Sequence, residues 1–242
     1  MPGALSSDEA LESLRRELKA DLLAAIERRT GVRLASDVLI IAVARRAATY
    51  KRPDLILRDL DRVGRLLKDR QLQLVFSGKA HPADRAGKAM VTRLVRAIRQ
   101  WPDAAVFLEN YDMGLARLLT RGADVWLNTP RPPLEASGTS GMKAALNGVL
   151  HCSTLDGWWP EGCEHGVTGW AIGDGAEDEH AEEQDAHDHA ALFRVLETEM
   201  LPAYADRSRW VSMMRASIRM AATRFSAERM VRDYFARLYG DA

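Results

Sequence analysis

The chain has 242 residues, and its 34 Lys and Arg are matched by 34 Asp and Glu, giving a formal net charge of zero. A nucleic-acid-binding role therefore lacks its electrostatic footprint, and the Arg-rich helices alternate their cations with Asp and Glu, as a solvated face does. The length is enough for a proper core, and no apolar run approaches the ~20 residues of a membrane-spanning helix.

Ser6 to Arg29 reads as a helix, with Ser6-x-x-Glu9 as a capping box, Leu11, Leu14, Leu18, Leu22 and Ile26 as one stripe, and Gly31 as the stop. This N-terminal helix, residues 1–31, precedes a single larger domain over 32–242. Val38 to Val43 is a short, continuous, β-branched run, the pattern of a parallel strand buried on both faces. A helical stretch with Leu55, Ile56, Leu60, Val63 and Leu67 leads to the strand Leu72–Phe76, and one with Met90, Val91, Leu94, Val95 and Ile98 leads to Ala104–Leu108. A short helix from Met113 to Leu119 precedes Val125–Leu127, a helix starts near Met142, and Val149–Cys152 is a further strand. This alternation predicts an α/β fold, a Rossmann-like doubly wound parallel sheet whose sites form at the carboxyl ends of its strands. Residues 174–189, mostly Asp, Glu, Ala, His and Gly, read as an exposed acidic loop, and about 190–239 as C-terminal helices. The last of these, after Ser226, carries Met230, Val231, Tyr234, Phe235 and Leu238 on one face.

Two cysteines, Cys152 and Cys163, make no disulfide framework, and the start Met1-Pro2-Gly3-Ala4 has neither region of a signal peptide, so a cytoplasmic protein is expected.

Four strand ends carry the chemistry. The first holds Arg45, Arg46, Lys51 and Arg52 with no acid between them, which is either an anion site, phosphate most simply, or a solvated basic loop. The second adds Gly78 and Lys79 without the spacing of a Walker A sequence, and the third adds Tyr111 among polar groups. The fourth, Glu135 to Gly148, sets Gly138, Thr139, Ser140 and Gly141 before a helix, whose free N–H groups suit a phosphate. Lys143 is expected in the first turn of that helix, where the dipole disfavours a cation and favours the neutral amine. A phosphate cradle beside such a lysine fits pyridoxal phosphate (PLP); the other reading is a plain surface lysine after a glycine-rich turn.

The segment EASGTSGMKAALNG (Glu135–Gly148) closely resembles the PLP-lysine segment of α-glucan (glycogen-type) phosphorylases, in its short bacterial form. RRAATYKR (Arg45–Arg52), FSGKAHPAD (Phe76–Asp84), VFLENYDM (Val106–Met113), DVWLNTPRPPLEASGTSGMK (Asp124–Lys143) and LDGWWPEG (Leu155–Gly162) agree in order, although Ala47 stands where the family carries an aromatic. The resemblance implies the C-terminal domain of a GT-B glycosyltransferase fold and reversible phosphorolysis of an α-1,4-glucan, using inorganic phosphate and releasing glucose 1-phosphate. By position it implies that Lys143 forms the Schiff base with PLP, that Arg45, Thr139 and Ser140 surround the cofactor phosphate, and that Tyr111 lies near the cofactor. Arg46 and Lys51 would hold the substrate phosphate, and Glu135, Ser137 and Gly138 the glucosyl hydroxyls. The family's other Rossmann-like domain is not recognisable, so the resemblance implies catalysis only with an N-terminal phosphorylase domain, and an apolar patch prone to self-association in its absence.

Two other functions are weighed. One is a non-catalytic remnant binding PLP, glucan or a partner; the other is a nucleotide-sugar glycosyltransferase, against which Lys143 in its motif speaks. His180, His187 and His189 lack ligand spacing, so no metal is expected. Trp158 and Trp159 read as packing anchors before sugar-stacking rings, and Met213, Met214, Ile218 and Met220 as core.

Overall fold

A computed structural model describes residues 7–175 and 180–239. Its strands are β1 (Leu39–Ala44), β2 (Leu72–Ser77), β3 (Ala105–Leu108), β4 (Val125–Asn128), β5 (Leu150–Thr154) and β6 (Gly169–Ile172). They form one sheet in the order β3-β2-β1-β4-β5-β6, every pairing parallel. The helices are α1 (Asp8–Thr30), α2 (Leu60–Lys68), α3 (Arg85–Ile98), α4 (Met113–Gly122), α5 (Thr139–Leu146), α6 (Trp159–Gly162), α7 (Ala181–Val195), α8 (Leu201–Ala205), α9 (Arg207–Arg224) and α10 (Ala227–Tyr234). This is the doubly wound α/β fold.

Alternate strand residues feed two cores, as the two-residue period of a strand requires. Leu39, Ile41, Val43, Leu72, Leu74 and Phe76 join α2, α3, α7 and α9 on one face. Ile40, Ala42, Ala44, Val75 and Trp126 join Leu22 and Ile26 of α1, Leu115 and Leu119 of α4, and Ala144 of α5 on the other. The methionine stripe is core: Met213, Met214 and Met220 are buried. Among the described residues no helix is long and apolar enough to cross a membrane.

Three expectations need correction. The cap of α1 is Ser7, whose side chain accepts from Ala10 N, while Ser6 lies outside the described residues. The buried stripe of α1 runs through Leu11, Arg15, Lys19, Leu22 and Ile26, with Leu14 and Leu18 only half-buried, and no apolar pattern can reveal its two cations. Arg15 donates to the carbonyls of Arg121 and Ala123, left open at the end of α4. Lys19 Nζ donates to Asp124 Oδ2 at 2.6 Å and to Val38 O at 2.8 Å.

The acidic stretch is the second correction. From Ala181 it is the helix α7, with Gln184 and Asp188 buried, because Asp185 and Asp188 face the buried Arg52 guanidinium while Glu182 and Glu183 stay in water; residues 176–179 lie outside the described set. The third is β6, which the sequence reading leaves as loop. It is four residues long and opens on Gly169, so neither length nor β-branching marks it.

Candidate functional site

In this strand order the chain reverses direction of travel between β1 and β4, and an open α/β sheet forms its crevice there, beyond the carboxyl ends. Arg45 follows β1 directly, and a short 3-10 turn at Thr49–Lys51 brings Lys51 back over the same edge. Thr129 to Gly138 follows β4.

Here the structure gathers residues far apart in sequence. Glu135 accepts from Arg45 Nη2 and from Lys51 Nζ, the latter at 2.8 Å through Oε2 and 3.2 Å through Oε1. The three side chains are 6 % (Arg45), 10 % (Lys51) and 11 % (Glu135) exposed. Arg45 Nε and Nη1 are buried with no hydrogen-bond partner among the described residues. Burial alone would raise the Glu135 carboxyl, but the hydrogen bond from Lys51 and the charges of Arg45 and Lys51 outweigh it and hold the group below the ordinary glutamate value. Burial, only partly offset by Glu135, pulls the Arg45 guanidinium down from its usual range.

Two supports fix this cluster, and sequence reasoning missed both. Asp156, after β5, accepts from Glu135 N and from Gly157 N, each at 2.8 Å, while Trp158 N donates to Ser137 O at 2.9 Å. Arg52, next to Lys51, donates to Thr129 O at 2.8 Å, Pro130 O at 2.9 Å, Asp185 at 2.8 Å and Asp188 at 2.6 Å. Asp156 lies inside the motif LDGWWPEG (Leu155–Gly162), which is its signal in the sequence; nothing local marks Asp185 or Asp188.

Gly138, at φ 83°, caps α5 without a side chain: its carbonyl accepts from Gly141 N at 3.0 Å, and no side-chain oxygen caps the N–H groups of Thr139 and Ser140 among the described residues. Because the helix begins at Thr139, Lys143 is its fifth residue and lies in its last turn, not its first. There the dipole favours a cation, so the expected field effect on the amine does not operate. Lys143 is exposed, and among the described residues its amine has no hydrogen-bond or ion-pair partner. Tyr111 is half-buried and within reach of the charge of Arg45, although burial dominates and raises its phenol. Arg46 is exposed and unpaired among the described residues, so the structure does not draw it into the Arg45–Lys51–Glu135 cluster.

α5 approaches β5 closely. A Cβ at Gly141 would lie 2.6 Å from His151 Cε1 and 2.9 Å from Trp158 Nε1. His151 cannot retreat, since Trp158 stacks on it at 5.4 Å and Trp159 meets it edge-on at 4.7 Å; burial lowers its pKa to about 3, so it is neutral. Both tryptophans are buried packing rings, with Trp159 Nε1 donating to Trp170 O at 3.0 Å. Gly141→Ala is expected to destabilise the chain by about 1–3 kcal/mol through overpacking, read as a lower urea midpoint; an unchanged midpoint would refute this contact.

The sequence profile described as "Phosphorylase: Carbohydrate phosphorylase" matches residues 5–165. The chain is 49% identical over 212 residues to maltodextrin phosphorylase of Thermococcus litoralis, covering 85% of this chain and 25% of that protein. It is 44% identical over 219 residues to glycogen phosphorylase of Aquifex aeolicus, covering 86% of this chain and 31% of that protein. Glycogen phosphorylase of Mycobacterium tuberculosis is 46% identical over 218 residues, covering 85% and 25%. The chain thus spans less than a third of the length of these curated relatives.

Proposed function

Because the chain belongs to the carbohydrate phosphorylase family, we propose that it supplies the cofactor and phosphate side of an α-1,4-glucan phosphorylase, a glycosyltransferase that releases glucose 1-phosphate. One observation carries the reading. Two buried cations at the switch point share a single carboxylate, and Arg45 keeps two buried donors unpartnered. Such a site is short of negative charge and of acceptors, and a phosphate group brings both.

The residues present fit PLP. Arg45, Thr139 and Ser140 hold its phosphate, Lys143 tethers it covalently, and Tyr111 borders it. When bound, the cofactor contributes a phosphate able to relay a proton. Lys51 and Arg46 bind inorganic phosphate and neutralise charge crowded at that point, an effect strongest when the groups are set in advance. Glu135, Ser137 and Gly138 take the glucosyl hydroxyls, with Asp156 fixing the backbone that presents them. The cytoplasmic setting, with Cys152 and Cys163 as free thiols, belongs to the same proposal.

The glucan and the remaining wall of the cleft call for more protein than this chain, which spans only part of its relatives. The apolar face after Ser226 suits such a partner domain: Phe235 is 63 % and Leu238 is 68 % exposed, beside Met230, Val231 and Tyr234. Without that partner the chain should self-associate as concentration rises, and Phe235→Ser with Leu238→Ser should shift sedimentation towards monomer. A wild-type monomer at every concentration would remove the argument from this face.

The proposal is tested by an absorbance spectrum with added PLP, borohydride reduction and peptide mapping, then a phosphorolysis assay with and without an N-terminal phosphorylase domain. An adduct on Lys143, and glucose 1-phosphate once the domain is supplied, are expected. No product in either assay would sink the catalytic part, and no adduct the cofactor part.

A further inference from the structure

Glu135 is placed by this reading among the groups that receive sugar hydroxyls, yet its carboxylate lies on Arg45 and Lys51, the cations read as holding the two phosphates. We propose that Glu135 is a built-in competing anion: it neutralises the phosphate site when no phosphate is present, and arriving phosphate displaces it towards the sugar. The proposal rests on the phosphate-site reading above and adds an order to it.

Geometry supports the exchange. The carboxylate offers two oxygens, and Oε2 serves both Arg45 and Lys51, so Arg45 Nε and Nη1 remain buried and unsatisfied. A tetrahedral phosphate carries more acceptor oxygens and more charge, and so can answer donors that the carboxylate leaves open. The backbone need not move. Glu135 N is pinned to Asp156 Oδ2 and Ser137 O to Trp158 N, so the displacement is a rotation of the side chain about a fixed segment.

A consequence is positive coupling between the two ligands. Once off its cations, the Glu135 carboxylate is a largely buried charge without a partner, an unfavourable state that sugar hydroxyls relieve. Phosphate alone therefore binds against resistance, and phosphate with sugar in place does not. The site holds its cations ready while admitting free phosphate only weakly.

The test is calorimetric titration of inorganic phosphate into the wild-type chain and Glu135→Gln at fixed ionic strength. Glu135→Gln keeps the shape and removes the charge, so it should bind phosphate about tenfold tighter, equivalent to ~1.4 kcal/mol. In a Lys51→Met background the gain should shrink, since half of the competition is gone. If Glu135→Gln fails to fold by circular dichroism, Glu135→Ala must show the same gain. Wild-type binding with equal or weaker binding by the Glu135 variants would overturn the competition and leave the phosphate site standing. No binding by any folded variant would overturn both.

Discussion

Asp188→Ala should lower the stability of the chain by about 3–5 kcal/mol, the loss typical when one partner of a buried ion pair is removed. Asp188 Oδ2 accepts from Arg52 Nη2 at 2.6 Å, and both side chains are nearly sealed from water. Gln184 Nε2 donates to the other oxygen at 3.0 Å, so Asp188 is held in turn by its own helix. Without Asp188 the guanidinium keeps Asp185 and two carbonyls but loses its most buried counter-charge. Domains of this size are stable by roughly 5–15 kcal/mol, so the loss is a large share of the total. It should appear in urea denaturation as a lower midpoint with an unchanged slope. Since Lys51 precedes Arg52 and Thr129 Oγ1 donates to Arg52 O at 2.7 Å, phosphate binding should weaken too. A shift below about 1 kcal/mol would mean that the pair is solvated and that α7 is not a support of the site.

That carboxylate belongs to the stretch that composition presents as an acidic loop. A count of Asp and Glu cannot tell a solvated carboxylate from one paired with a residue 136 positions away. The helical period is present, in Gln184, Asp188, Ala191, Leu192 and Val195, but its first two members are polar and do not register as a core face. Arg15 and Lys19 of α1 hid for the same reason. Where burial is apolar it is legible: β1 is apolar and buried at every position, and a run of that kind needs no partner to be recognised.

The site divides along the same line. Arg45, Lys51 and Glu135 could each be named from motifs, but their meeting across 90 and 84 positions is a property of strand order. Placing them at a crevice follows from the fold rule, whereas Glu135 lying on the cations does not. The helix begins three residues before the expected Met142, because Thr139 and Ser140 have the composition of a loop. Gly138 at positive φ, the actual cap, moves Lys143 from the first turn to the last.

Lys143→Met should abolish the borohydride-trapped PLP adduct, an effect greater than about 100-fold, equivalent to ~2.7 kcal/mol or more. The expectation rests on position rather than on the helix field, which at the last turn favours the cation. The amine is exposed and unpaired among the described residues, on the helix whose open N-terminus is read as part of the phosphate cradle. Of the other lysines at the carboxyl ends of the strands, Lys51 is paired with Glu135, while Lys79 is exposed and its amine has no partner among the described residues. Proximity must then supply the selectivity, by holding the aldehyde carbon next to one amine once Arg45 has bound the phosphate. Met and Lys have similar helix propensities, so the variant should unfold at the same urea concentration. Removing Arg45 separates the two contributions. Arg45→Met should leave the Lys143 amine in place yet scatter the adduct over exposed lysines, because the phosphate that aims the aldehyde is no longer held. An adduct that persists in full on other lysines in Lys143→Met, or stays confined to Lys143 in Arg45→Met, would show that the two residues do not form one site.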